Sequence, residues 1–198
     1  MNELTLEEQH VIGERLLSEG WNARQIATAN QPGSRWSLKS PNQRVRLEMA
    51  YDLAGTYAEL SATNLLDYPR TDPLWRVMVH EGSPEIVLAA ARTAEYAEDA
   101  VSVAASRRTL SKALRKAGWS ASANRVMVTV SPFVQWKSPD GRHKLESLLV
   151  SRDDAGGYEL SGPGVLIDAR PETPPTVLAD MALAIGAWRE SDEIGGQR

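Results

Sequence analysis

The amino-acid sequence predicts an α+β protein, a tandem repeat of two helix–antiparallel sheet–helix modules packed with pseudo-twofold symmetry. Three observations predict it. Leu16-Leu17-Ser18-Glu19-Gly20-Trp21 aligns with Leu114-Arg115-Lys116-Ala117-Gly118-Trp119 at an offset of 98 residues. The same offset of 98 aligns residues 39–48 with residues 137–146, and six of those ten positions are identical. Each aligned pair also sits in the same local pattern, with helical apolar spacing before the Gly-Trp step and alternating polar and apolar residues after it. The modules expected are residues 1–103 and 104–198.

Taken in order, Thr5-Leu6-Glu7-Glu8 carries a capping-box signature, and Leu6, Ile12, Leu16 and Leu17 continue it with helical spacing. Gly20 ends that helix, because only glycine enters the left-handed region at no cost, and Gly118 ends the helix predicted over 106–117. Ser40-Pro41-Asn42-Gln43 and Ser138-Pro139-Asp140-Gly141 read as hairpin turns, proline setting φ and Asn or Asp-Gly tolerating the corner. Residues 44–49, 75–79 and 125–130 alternate as half-buried strands do. Ser83-Pro84 and Thr173-Pro174 place a hydroxyl before a first-turn proline, predicting helices over 84–103 and 174–190. The stretch 99–106 then links the modules as nearly continuous helix, and 191–198 reads as a frayed tail. Ser83–Leu88 resembles Thr173–Leu178 at an offset of 90, so the second copy has lost about eight residues, at the Asp/Pro/Asn-rich stretch 64–73 of the first.

The order of these motifs resembles a family. Ala117-Gly118-Trp119, then Ser138-Pro139-Asp140-Gly141-Arg142 leading to Leu145, and a late Pro84-Glu85-Ile86, are similar to an actinobacterial domain-of-unknown-function family that often carries its module in tandem. The resemblance covers nearly the whole chain and implies the fold, with no activity attached. The second copy departs from it with Pro174-Pro175-Thr176 and lacks a counterpart of Trp75.

Composition narrows the function classes. The 198 residues are 42% hydrophobic and 24% charged, which suits a globular core. With no cysteine, disulfides, thiolate metal sites and thiol nucleophiles are excluded. Met1–Glu8 lacks the basic and apolar regions of a signal peptide, and no apolar run approaches the roughly 20 residues that cross a bilayer. A cytoplasmic protein without membrane contact is expected.

No phosphate-binding glycine loop, dinucleotide fingerprint or nucleophile elbow occurs. His10, with Glu7 and Glu14 three and four residues away, has metal-ligand spacing, but amphipathic periodicity makes the same residues a solvated face. His80-Glu81 ends a strand beside a helix start, a common location for catalysis, yet its counterpart is Arg170-Pro171. Asp153-Asp154 before Ala155-Gly156-Gly157 reads as a turn. Trp21, Trp119, Trp36 and Trp136 read as core, the last two on one face of a strand although two residues out of register. No catalytic, metal or cofactor residues are nominated.

Charge supplies the remaining candidates. Residues 1–100 hold fifteen acids against nine bases, whereas 101–148 hold nine bases against Asp140 and Glu146. Arg107, Arg108, Lys112, Arg115, Lys116, Arg142 and Lys144 are therefore the candidate contacts for nucleic acid or a partner. The expectation is a non-enzymatic binding or scaffold protein that presents a paired sheet or helix surface to a protein partner. The alternative is nucleic-acid binding through the basic second module; the same charges could instead draw the acidic and basic copies together, homo-oligomers included, or form a plain solvated helix face.

Overall fold

A computed structural model describes residues 3–26, 35–52, 55–62, 73–98, 103–124, 133–147 and 156–195. Along the chain these form α1 (Leu6–Ser18), β1 (Asn22–Ile26), β2 (Arg35–Lys39), β3 (Val45–Asp52), β4 (Gly55–Ala62), β5 (Trp75–Glu81), α2 (Pro84–Tyr96), α3 (Val103–Lys116), β6 (Ser120–Asn124), β7 (Phe133–Lys137), β8 (Lys144–Ser147), β9 (Tyr158–Gly162), β10 (Val165–Ala169) and α4 (Pro175–Gly195). The protein is α+β, as the sequence predicts. Its strands form one ten-stranded antiparallel sheet in the order β1-β2-β3-β4-β5-β10-β9-β8-β7-β6. The separate small sheets expected for the two modules are therefore halves of one sheet. Pairing β5 with β10 removes two inner edges that would otherwise leave backbone groups unpaired.

The local signals explain most element ends. Thr5 caps α1, with its Oγ1 accepting from Glu8 N (3.2 Å) while Glu8 Oε2 accepts from Thr5 N (2.7 Å). At the C-termini of α1 and α3 the bonding is the same. Trp21 N donates to Leu16 O and Gly20 N to Leu17 O, as Trp119 N does to Leu114 O and Gly118 N to Arg115 O. These are Schellman endings, made possible by φ of 91° at Gly20 and 82° at Gly118.

Three expectations need correction. The hydroxyl of Ser83 makes no cap bond to α2, although Pro84 opens the helix as predicted. The alanine-rich pattern predicts α2 to residue 103, but the helix stops at Tyr96 and Ala97 is extended with ψ 137°. Asn42 on the first hairpin donates its amide to Glu95 O at 2.6 Å, so a tertiary bond captures a carbonyl of the last turn. At the other end, α4 starts at Pro175 and continues through Gly195, into the stretch predicted as tail. The predicted strand 125–130, the Asp153-Asp154 turn and the loop 64–72 lie outside the described residues.

The core lies on one face of the sheet. Alternate residues of the strands, among them Leu38, Leu47, Leu60, Val77, Ile167, Leu160, Leu145 and Trp136, are buried with Leu16, Ile86, Leu110, Leu114, Val177 and Met181 of the helices. On this face α2 packs against α1 and α4, and α4 against α3. Trp21, Trp36, Trp75, Trp119 and Trp136 are all buried, so core packing accounts for them. Among the described residues, no helix is long and apolar enough to cross a membrane.

Candidate functional site

The opposite strand positions face away from the helices, and their registers line up across the nine strands from β2 to β6 in sheet order. One row passes through Ser37, Glu48, Glu59, Met78, Asp168, Glu159, Glu146, Gln135 and Ser122 as successive partners. Five carboxylates thus share a row in which neighbouring strands sit about 5 Å apart, where like charges oppose folding. Local cations reduce that cost. Arg46 pairs with Glu48, and Lys144 Nζ reaches Glu146 Oε2 at 3.0 Å. Gln135 also donates its amide to Glu146.

The row crosses the β5–β10 seam at the centre of the molecule. There His80 Nε2 meets Asp168 Oδ2 at 3.1 Å, joining residues 88 positions apart. Both side chains remain substantially exposed, at 40% and 52%. Beside them a shallow depression of about 240 Å³ is lined by Arg76, Met78, Asp168, Arg170 and Pro171. A carboxylate-oriented imidazole is the orienting half of a general-base arrangement, and the other half is a hydroxyl, thiol or water to deprotonate. Among the described residues, no hydroxyl is bonded to His80. Such exposure also weakens the pair, since solvent-accessible ion pairs contribute at most about 1 kcal/mol. As a surface, the seam combines an imidazole, a carboxylate, two guanidinium groups and a thioether.

The remaining histidines have other surroundings. His10 is exposed on α1 and stacks obliquely on Trp36, with ring centroids 5.8 Å apart. Among the described residues, no group of three His, Asp or Glu side chains could hold a metal ion. His143 is buried in the second hairpin, its Nε2 3.3 Å from Pro163 O. Burial pushes its imidazole below the ordinary range, the carbonyl of Pro163 pulls it partly back, and Arg142 adds to the lowering.

The seven basic candidates do not form one patch. Arg108, Lys112, Arg115 and Lys116 are exposed together on α3. Arg107 turns inward instead. Its Nε is shut off from solvent, and its guanidinium lies by Tyr158, partly offsetting the upward push that burial gives this phenol. Arg142 stands exposed in the hairpin turn, donating its N–H to Asp140 Oδ1 at 3.0 Å. Lys144 lies on the helix-free face with Glu146. The helical spacing visible in the sequence unites the α3 group, which Arg107 leaves by turning inward and from which Lys144 is separated by the sheet.

No family model, curated protein or solved structure matches the chain. The functional reading rests on this geometry.

Proposed function

We propose that the chain is a non-enzymatic binding or scaffold protein, built by duplication of one α+β module, that presents the helix-free face of its sheet to a protein partner. The single observation that carries the reading is the carboxylate row spanning both halves. A row that opposes folding yet continues across the seam from β3 to β8 makes sense as a surface for contact with a partner of complementary charge. The His80–Asp168 pair adds polar groups at its centre without a bonded nucleophile among the described residues, which favours binding over catalysis.

Several features support duplication and a pseudo-twofold arrangement. Ser40 and Ser138 make matching bonds in their hairpins: each N–H donates to the carbonyl five residues on, and each hydroxyl accepts from the N–H of that same residue. Gly20 faces Pro41 as Gly118 faces Pro139. At the seam Val77 opposes Ala169 and Val79 opposes Ile167, which is the reciprocal pairing a twofold requires when 77 corresponds to 167 and 79 to 169. The resemblance to a tandem-module actinobacterial family belongs to the same proposal and adds no activity.

The test is capture of partners from native lysate on the full chain, with nuclease treatment and a Glu59→Arg/Glu159→Arg variant alongside. The expected result is a protein recovered irrespective of nuclease and lost on charge reversal. Recovery that collapses with nuclease would favour the nucleic-acid alternative, for which the exposed cations of α3 are the supporting observation.

A further inference from the structure

The two outer edges of the sheet are not equally protected. Both β1 and β6 end the strand order, so among the described residues each has a strand on one side only. β1 is blunted: its register against β2 shifts between Ala23 and Gln25, and Arg24 sits in the interruption. β6 pairs with β7 in unbroken register from Ser120↔Lys137 to Asn124↔Phe133. Its sequence, Ser-Ala-Ser-Ala-Asn, has no charge, no proline and no bulge, and Ser120, Ala121 and Ser122 are exposed. Within β6 itself there is no charged residue, proline or bulge to hinder strand addition.

Next to this edge α3, which carries the exposed Arg108, Lys112, Arg115 and Lys116, packs on β6. Trp136 Nε1 donates to Ser111 Oγ at 3.2 Å, which fixes the rotation of the helix above β7 and β6. Arg108 and Arg115 lie three residues before and four after Ser111, on the same stripe, and both are exposed. Lys112 and Lys116 extend the charged surface, and α3 contains no acid. Below the edge, exposed Lys137 opposes Ser120 on the helix-free side. No ion pair occupies any of these five cations among the described residues.

We propose that the β6 edge is a docking site for an extended acidic segment of a partner protein, which adds as an eleventh strand. Main-chain hydrogen bonds to β6 supply the attachment. Carboxylates projecting alternately to the two sides meet Arg108 and Arg115 on one and Lys137 on the other. Five residues of edge accommodate a segment about 17 Å long. Nucleic acid fits less well, because it would use the cations and leave the edge unpaired. This inference rests on the binding-protein reading and adds a second surface of opposite charge to it.

A labelled seven-residue peptide alternating Glu and Val tests the proposal, with fluorescence polarisation against the full chain in about 0.15 M salt. The expected result is saturable binding, weakened at least tenfold by Arg108→Glu/Arg115→Glu, and abolished when alternate peptide amides are N-methylated. Hydrogen exchange should show new protection at Ser120–Asn124 alone. Absence of saturable binding, undiminished binding of the N-methylated peptide, or no protection in β6 would overturn it. So would displacement of the peptide by a DNA duplex at equal charge concentration. If lysate capture survives Arg108→Glu/Arg115→Glu but is lost with Glu59→Arg/Glu159→Arg, this docking site fails while the proposed function stands.

Discussion

Gln43 and Gly141 occupy the same corner of two hairpins 98 residues apart, with φ of 63° and 72°. Only one of them is glycine. An L-residue in this left-handed region costs about 1–2 kcal/mol, whereas glycine enters freely but loses more entropy on folding, by about 0.5–1 kcal/mol. The Nε2 of Gln43 recovers little, reaching Ser40 O only at 3.5 Å. Gln43→Gly should therefore stabilise the protein by about 0.5–1 kcal/mol, and Gly141→Gln should destabilise it by a similar amount. Urea denaturation of both variants checks the pair of opposite signs, and equal signs would refute the argument.

A second pairing of equivalent positions distinguishes Gly13 from Ser111. A Cβ on Gly13 would lie 2.7 Å from Trp36 Cζ3 and 2.9 Å from Cε3, so the indole fills the space a side chain would need. Ser111 has that space and uses it to accept from Trp136 Nε1. Gly13→Ala gains about 1 kcal/mol of helix propensity but overpacks a buried ring, at about 1–3 kcal/mol. The expected net is a loss of up to about 2 kcal/mol, with Ser111→Gly also losing about 1–2 kcal/mol. Thermal melts compared with the parent decide it, and a Gly13→Ala variant more stable than the parent would contradict the packing.

What was legible in the sequence was local. The Gly-Trp corners at 20–21 and 118–119, the two Ser-Pro hairpins and the inward tryptophans depend on φ, capping and side-chain period within a few residues. The seam was not legible, because β5 alternates in the same way whether it ends a sheet or continues one. His80 and Asp168 meet only through the register of β5 on β10, across 88 residues. The carboxylate row required the register of six neighbouring strands, β3 to β8 in sheet order, at once. Composition suggested one basic patch, but the inward turn of Arg107 and the sheet face taken by Lys144 depend on packing that spacing does not encode.

His143 provides a pH signature. Its folded-state pKa is lowered, chiefly by burial, so between the folded value and the ordinary value near 6.5 the unfolded chain holds the extra proton. Stability therefore rises with pH through this window and is lost as pH falls below about 6.5. Val45 fills the matching place in the first hairpin and is equally buried, which makes His143→Val a volume-tolerable control. Unfolding free energy measured from pH 7.5 to 5.5 should decline more steeply for the parent than for His143→Val. Identical slopes would mean that the imidazole is not the group responsible.

The seam makes a prediction about cooperativity. Val79 and Ile167, opposed across β5 and β10, are 3% and 1% exposed. Over them α2 packs on α4, with Thr93 Oγ1 donating to Asp180 Oδ2 at 2.5 Å. Core from both halves is thus continuous through sheet and helices, and neither half can unfold without exposing the other's apolar surface. The chain should unfold in one transition, with amide exchange in β3 and β8 reporting the same opening free energy. Ile167→Ala removes buried methyl groups at about 2–4 kcal/mol and should lower both reporters equally. If β8 weakened while β3 kept its protection, the halves would be independent domains that happen to touch, and the continuous core would not be what holds them together.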